Sequence, residues 1–92
     1  MIKPKKFEDI EIEQMDENRI LFNKKREDVT LLNQSAWEIY NMCDGNLNEE
    51  EIAVKFYEKQ DINMDVNECK SDVVECIKKL IEIGVLINAG TI

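Results

Sequence analysis

Leu32-Asn33-Gln34-Ser35-Ala36-Trp37-Glu38-Ile39-Tyr40-Asn41-Met42-Cys43-Asp44-Gly45 joins the end of an apolar strand to an amphipathic helix and a glycine stop. Ser35 is placed to accept a hydrogen bond from an amide of the first helical turn, and Glu38, three residues on, to reach back to the cap, the capping-box arrangement. Ala36, Ile39, Tyr40 and Cys43 recur at the spacing of one helical face. Gly45 supplies the left-handed conformation that commonly ends a helix. The stretch also marks where the hydrophobic period of the chain changes.

Before it, apolar residues alternate instead of cycling at helical period. Phe7, Ile10, Ile12 and Met15 lie in a first run, Ile20 and Phe22 in a second, and Val29, Leu31 and Leu32 in a third. Asp16-Glu17-Asn18 and Lys24-Lys25-Arg26-Glu27-Asp28 are polar connections of hairpin length, so the expected pairing is a three-stranded antiparallel meander. After it the period is helical. Asn48 with Glu51 repeats the cap signature ahead of Ile52, Phe56 and Tyr57, which predicts a second helix ending near Lys59. Asp65 with Glu68 opens a third, whose face is Cys69, Val73, Cys76, Ile77 and Leu80 and which Gly84 closes. From Val66 to Ile83 it would be ~27 Å long. Val85-Leu86-Ile87 leaves it as an apolar tail able to pack on the sheet or pair with it.

Three strands followed by three helices is an α+β pattern, and helices segregated to one side of a small sheet give a two-layer core. The expected fold is winged helix-turn-helix-like: a three-stranded antiparallel sheet followed by three helices, in a single domain covering residues 1–92.

Composition narrows the function. The chain of 92 residues carries 12 Lys and Arg against 20 Asp and Glu with no His, a formal net charge of −8. A surface of that sign repels phosphate backbones and anionic lipid, and suits a basic peptide better. Lack of histidine removes the commonest general base near neutral pH and the commonest zinc ligand. Cys43, Cys69 and Cys76 are an odd number without CxxC spacing, behind a start that lacks a secretory pattern, which points to a reduced, cytoplasmic setting. Cys69 and Cys76 share one helix face but fall short of a tetrahedral metal site, and read as small core residues. Trp37 reads as packing beside the core stripe. No apolar run approaches the roughly 20 residues that span a bilayer. No nucleophile–base pair, glycine-rich phosphate loop or metal cluster is legible, so neither an enzyme nor a cofactor is expected.

Several ordered features resemble a known family: Leu32-Asn33 before the first helix, Asp44-Gly45 after it, Asn48 leading into Glu50-Glu51-Ile52, Ser71-Asp72-Val73 through Leu80, and Gly84-Val85-Leu86. From about Val29 to Leu86 the chain resembles the PqqD-like family, the peptide-binding domain also called the RiPP recognition element. Two departures stand out: Asp61 to Asp65 is longer than the usual connection, and Cys76 stands where a bulkier apolar residue is common. The resemblance implies a standalone peptide chaperone, without chemistry of its own, that captures the leader segment of a ribosomally synthesised precursor peptide. It would present that leader to a modifying enzyme, often a radical SAM protein.

The resemblance also implies a site. The leader would add as a strand to the third strand, Glu27 to Leu32, in a cleft shared with the third helix, Lys70 to Ile81. A short sheet with an open edge offers unpaired amides and carbonyls to an extended guest, while side-chain pockets choose its sequence. The expected contacts are Asp28, Val29, Thr30, Leu31 and Leu32 on the strand and Lys70, Val73, Val74, Ile77, Lys78 and Ile81 on the helix, with Val74 and Ile81 alternatively widening the core face. Which face of the strand meets the guest depends on register. The same edge could pair with a second copy, so monomer and homodimer both stand. The competing function is a winged-helix nucleic-acid binder. Its third helix would carry Lys70, Lys78 and Lys79, but also Asp72, Glu75 and Glu82, without the basic stripe phosphate binding requires.

Overall fold

The computed structural model describes residues 2–60 and 65–90; most of the Asp61 to Asp65 connection therefore lies outside the described residues. Three of its strands form the expected antiparallel meander, β2 (Ile10–Met15), β3 (Asn18–Asn23) and β4 (Asp28–Leu32), in spatial order β2-β3-β4. Asp16 turns the first hairpin at φ 56, a left-handed conformation that Asp tolerates better than most residues. Alternation then sorts the side chains. Leu21 and Leu32 point inward and are buried, whereas the cross-strand pairs Ile20–Leu31 and Phe22–Val29 lie on the outer face, where Val29 and Leu31 are 67% and 57% exposed.

The helices start and stop for local reasons. α1 (Gln34–Asn41) is capped by Asn33, not Ser35: the Asn33 Oδ1 accepts from the Ala36 amide at 2.8 Å. Asn33 directly follows β4 in extended conformation, so the chain enters the helix two residues earlier than the Ser35–Glu38 pair suggests. Gly45 does not end α1 either. The helix stops at Asn41, and Gly45, at φ 88, turns the chain toward the N-terminal strand, its amide donating to Pro4 O at 2.9 Å. The box at α2 (Glu49–Lys59) is as expected, with Asn48 and Glu51 bonded reciprocally at 2.9 Å each. Asp65 caps α3 (Val66–Glu82). At its other end the Gly84 amide donates to Ile81 O and the Val85 amide to Leu80 O, both at 3.1 Å, the paired bonds of a Schellman turn around a left-handed glycine.

One strand has no sequence signal. β1 (Pro4–Lys6) pairs antiparallel with β5 (Leu86–Asn88), so the apolar tail joins the N-terminus in a separate two-stranded ribbon and does not extend the meander. Pro-Lys-Lys shows no alternation; its partner over eighty residues away creates the strand. The fold class is otherwise the expected one. Leu21 and Leu32 from the sheet share one core with Ile39 and Tyr40 of α1, Cys43 just beyond its end, Ile52, Ala53 and Phe56 of α2, and Cys69, Val73, Ile77 and Leu80 of α3. Trp37 stacks on Tyr40 with centroids 5.7 Å apart, and the Arg19 guanidinium lies 5.0 Å over its ring. No helix among the described residues is long and apolar enough to cross a membrane.

Asn23 is the buried polar residue of the core. Its Nδ2 donates to Gly84 O at 2.9 Å, and its Oδ1 accepts from the Lys25 and Arg26 amides at 3.0 and 3.1 Å. Arg26 adds a bond from its guanidinium to Glu82 O at 3.1 Å. The β3–β4 turn is thereby tied to the end of α3. Asn23→Ala leaves three backbone groups without their partner and should cost about 2–3 kcal/mol in urea unfolding; a loss below about 0.5 kcal/mol would contradict this role.

Burial pushes the Cys43 thiol up to about 12, with Cys76 nearby adding to the rise, and its Sγ donates to Ile39 O. Burial also raises Tyr40, Cys69 and Cys76. A group whose folded pKa exceeds its unfolded value, about 8.5 for a thiol, contributes stability that is complete below that pH and is lost as pH rises. Urea midpoints should therefore fall from about pH 8.5 upward, and Cys43→Ser, which keeps the donor without titrating there, should flatten the fall.

Candidate functional site

Strand order makes β4 a terminal strand of the meander, so one row of its backbone groups faces away from β3. α3 lies beside that edge but packs mainly on α2, α1 and β5, with a groove left between it and β4. The gap is a groove of about 390 Å³, lined by Thr30, Leu31 and Leu32 of β4 and by Asp72, Glu75, Cys76, Lys79, Leu80 and Ile83 on the α3 side. Its floor is apolar, from Leu32, Cys76 and Leu80, and its rim is charged. Burial keeps the Cys76 thiol protonated. Lys79 Nζ meets Glu75 Oε1 at 3.9 Å, while Asp72 is in no ion pair among the described residues.

A second cavity, of about 310 Å³, shares Asp72 and Cys76 with the groove and opens between the start of α1, the end of α2 and the middle of α3. The two hollows, together the trough, adjoin at Asp72 and Cys76, along the β4 edge and past Asn33. Among the described residues there is no group of His, Cys, Asp or Glu that could hold a metal ion.

The expected strand residues and the expected helix residues fare differently. Thr30, Leu31 and Leu32 line the groove; Asp28 is not part of its lining and pairs with Arg26 at 3.5 Å; Val29 points to the outer sheet face. On α3, Val73 and Ile77 are in the core at 1% and 0% exposure. Lys70, Val74 and Lys78 line a separate shallow cavity with Asn67 and Ser71, and Lys70 is paired with Glu50 of α2 at 3.1 Å. Ile81 faces Phe7 and β5 across another hollow. At about 100° per residue, the 70-74-78-81 stripe and the 72-75-76-79-83 stripe flank the core stripe on opposite sides. The hand of the packing turns the second stripe toward β4. Periodicity locates both flanks and does not distinguish them, so Asp72, Glu75, Cys76, Lys79, Leu80 and Ile83 are groove residues that the sequence reading leaves out.

The profile of the family Coenzyme PQQ synthesis protein D (PqqD) matches residues 18–86, from the start of β3 to the start of β5. The chain belongs to the PqqD family. That is the family its helix caps and glycine stops resemble, and the match spans both walls of the groove. Two solved structures share the fold of this PqqD-family chain. One is TbiB1 in complex with the TbiA(beta) leader peptide, 15% identical, with a TM-score of 0.74 over 96% of this chain and 98% of that one. The other is lasso peptide synthetase B1 complexed with the leader peptide, also 15% identical, with a TM-score of 0.75 over 92% and 98%. A search of curated proteins gave no significant match.

The geometry ranks the thiols. Cys76 is half-buried on the trough floor, whereas Cys43 and Cys69 are at 0% and 1% exposure. A small maleimide at mild pH should label one thiol, Cys76, well before the other two, which should react at the rate of unfolding; mass spectrometry of the quenched reaction showing three equal rates would contradict the placement.

Proposed function

We propose that this chain is a RiPP recognition element, a peptide chaperone that holds the leader segment of a ribosomally synthesised precursor peptide and presents it to a modifying enzyme such as a radical SAM protein. The leader pairs with β4 as an added antiparallel strand and lays alternate side chains into the β4–α3 groove. The observation that carries this reading is the unpaired edge of β4 beside a helix that does not close on it. Main-chain bonds along such an edge supply affinity without regard to sequence, and the groove supplies choice. Membership in the PqqD family supports the reading, and so do the two structures of the same fold that were solved as complexes with a leader peptide. The chain would carry out no chemistry itself: Cys43 and Cys69 are buried, Cys76 is half-buried, and burial raises all three thiols, in keeping with a reducing cytoplasm.

The nucleic-acid reading has less behind it. Of the three lysines of α3, Lys70 is paired with Glu50 and Lys79 with Glu75, and the whole chain stands at −8. A helix entering a major groove needs those cations for phosphates.

Fluorescence anisotropy with a labelled leader, from the precursor encoded beside this gene, tests the reading. Cys76→Phe fills the groove floor and should weaken binding by about tenfold or more, about 1.4 kcal/mol. Lys78→Glu, on the other flank of α3, should change it by less than about twofold, and a labelled DNA duplex should not bind. Equal losses for both variants, or a response to DNA alone, would overturn the assignment.

A further inference from the structure

The groove beside β4 adjoins a second hollow past the end of the strand. The cavity of about 310 Å³ beyond Leu32 has apolar walls, Ala36 and Ile39 from α1, Phe56 from α2, and Cys69, Val73 and Cys76 from α3. Burial raises both thiols above their ordinary range, so they stay neutral and place no charge inside. A hollow of this size is at the bottom of the range for small-molecule sites and suits one large side chain. Asp72 lines both the cavity and the groove, where the two adjoin. Its carboxylate is exposed and in no ion pair among the described residues, and Glu75, one turn on, meets Lys79 only at 3.9 Å. The junction is therefore acidic, in a chain that is acidic throughout.

Strand polarity orders the guest. β4 runs from Asp28 toward Asn33, and the meander is antiparallel throughout. A guest added in the same sense runs the opposite way, so its N-terminal end reaches Asn33. Whatever fills the second cavity therefore precedes the paired segment in the guest's sequence.

We infer that the leader bound by this chain carries a large apolar or aromatic anchor residue, followed before its paired segment by Lys or Arg. The anchor fills the cavity among α1, α2 and α3, and the cation sits against Asp72. This inference rests on the strand-addition reading above and adds which side chains that site selects and in what order. The anchor supplies most of the selectivity, because burying a large apolar side chain is worth about tenfold or more in affinity. The cation supplies about threefold, since Asp72 stays in contact with solvent.

Phage-displayed random peptides selected on the wild-type chain provide the probe, followed by synthetic versions of a selected peptide measured by calorimetry. Selected peptides should show the anchor ahead of the basic residue. Replacing the anchor with Ala should cost about tenfold or more, and replacing the basic residue with Glu about threefold. Asp72→Lys, a change on the exposed surface of α3, should reverse the charge preference and leave the anchor's effect intact. Ala36→Leu narrows the cavity and should weaken the anchored peptide while leaving its Ala version unchanged, with circular dichroism confirming that both variants fold. If peptides bind and perturb the β4 amides but show no such order, or keep their charge preference on Asp72→Lys, the inference falls and strand addition stands. If no selected peptide perturbs the β4 amides, strand addition itself falls and the inference with it.

Discussion

The placement of α3 relative to β4 depends on one buried side chain amide. Asn23 holds the β3–β4 turn through two accepted bonds and grips Gly84 through the one it donates, so a single planar group fixes the distance between a strand hairpin and the end of a helix. Gly84 must be glycine for this to work. Its φ is 88, and a Cβ there would lie 2.5 Å from the Arg26 guanidinium and 3.0 Å from Asn23 Nδ2. The latch closes the far end of the groove beside Ile83, while the Asn33 cap positions α1 at the other. Between these two ends a groove is left between β4 and α3, and that spacing is what an added strand would need.

An open edge is a hazard for any chain at working concentration, since it can pair with another copy. Here β4 is only five residues long, it carries Asp28, and it belongs to a protein with a net charge of −8. Two such edges approach against like charge, whereas a cationic peptide approaches with it. The same charge that disfavours self-pairing thus favours the proposed guest.

What the sequence makes legible follows the range of the interactions involved. The helices are local events: Asn48 and Glu51, Asp65, and Gly84 act within a turn of the element they bound, although Asp65 accepts from the Asn67 amide and not, as the box spacing implies, from that of Glu68. Asn33 wins over Ser35 because it sits directly after an extended strand, a competition decided by the backbone's entry angle. β1 is invisible because Pro4, Lys5 and Lys6 become a strand only through β5 at the other end of the chain. The site divides in the same way. The β4 edge follows from strand order in a simple meander. The helix wall does not, because Lys70-Val74-Lys78 and Asp72-Cys76-Lys79 are flanks of one amphipathic helix, and the three-dimensional hand of the packing alone selects between them.

The central claim is that a guest peptide becomes the fourth strand of the meander at β4. Residue-resolved hydrogen exchange by NMR, on the chain alone and saturated with its leader, reads this directly. Strand addition predicts slowed exchange for alternate amides within Asp28–Leu32, with the edge amides of β2 unchanged. Unaltered exchange along β4, or new protection on β2 or β5 instead, would contradict it.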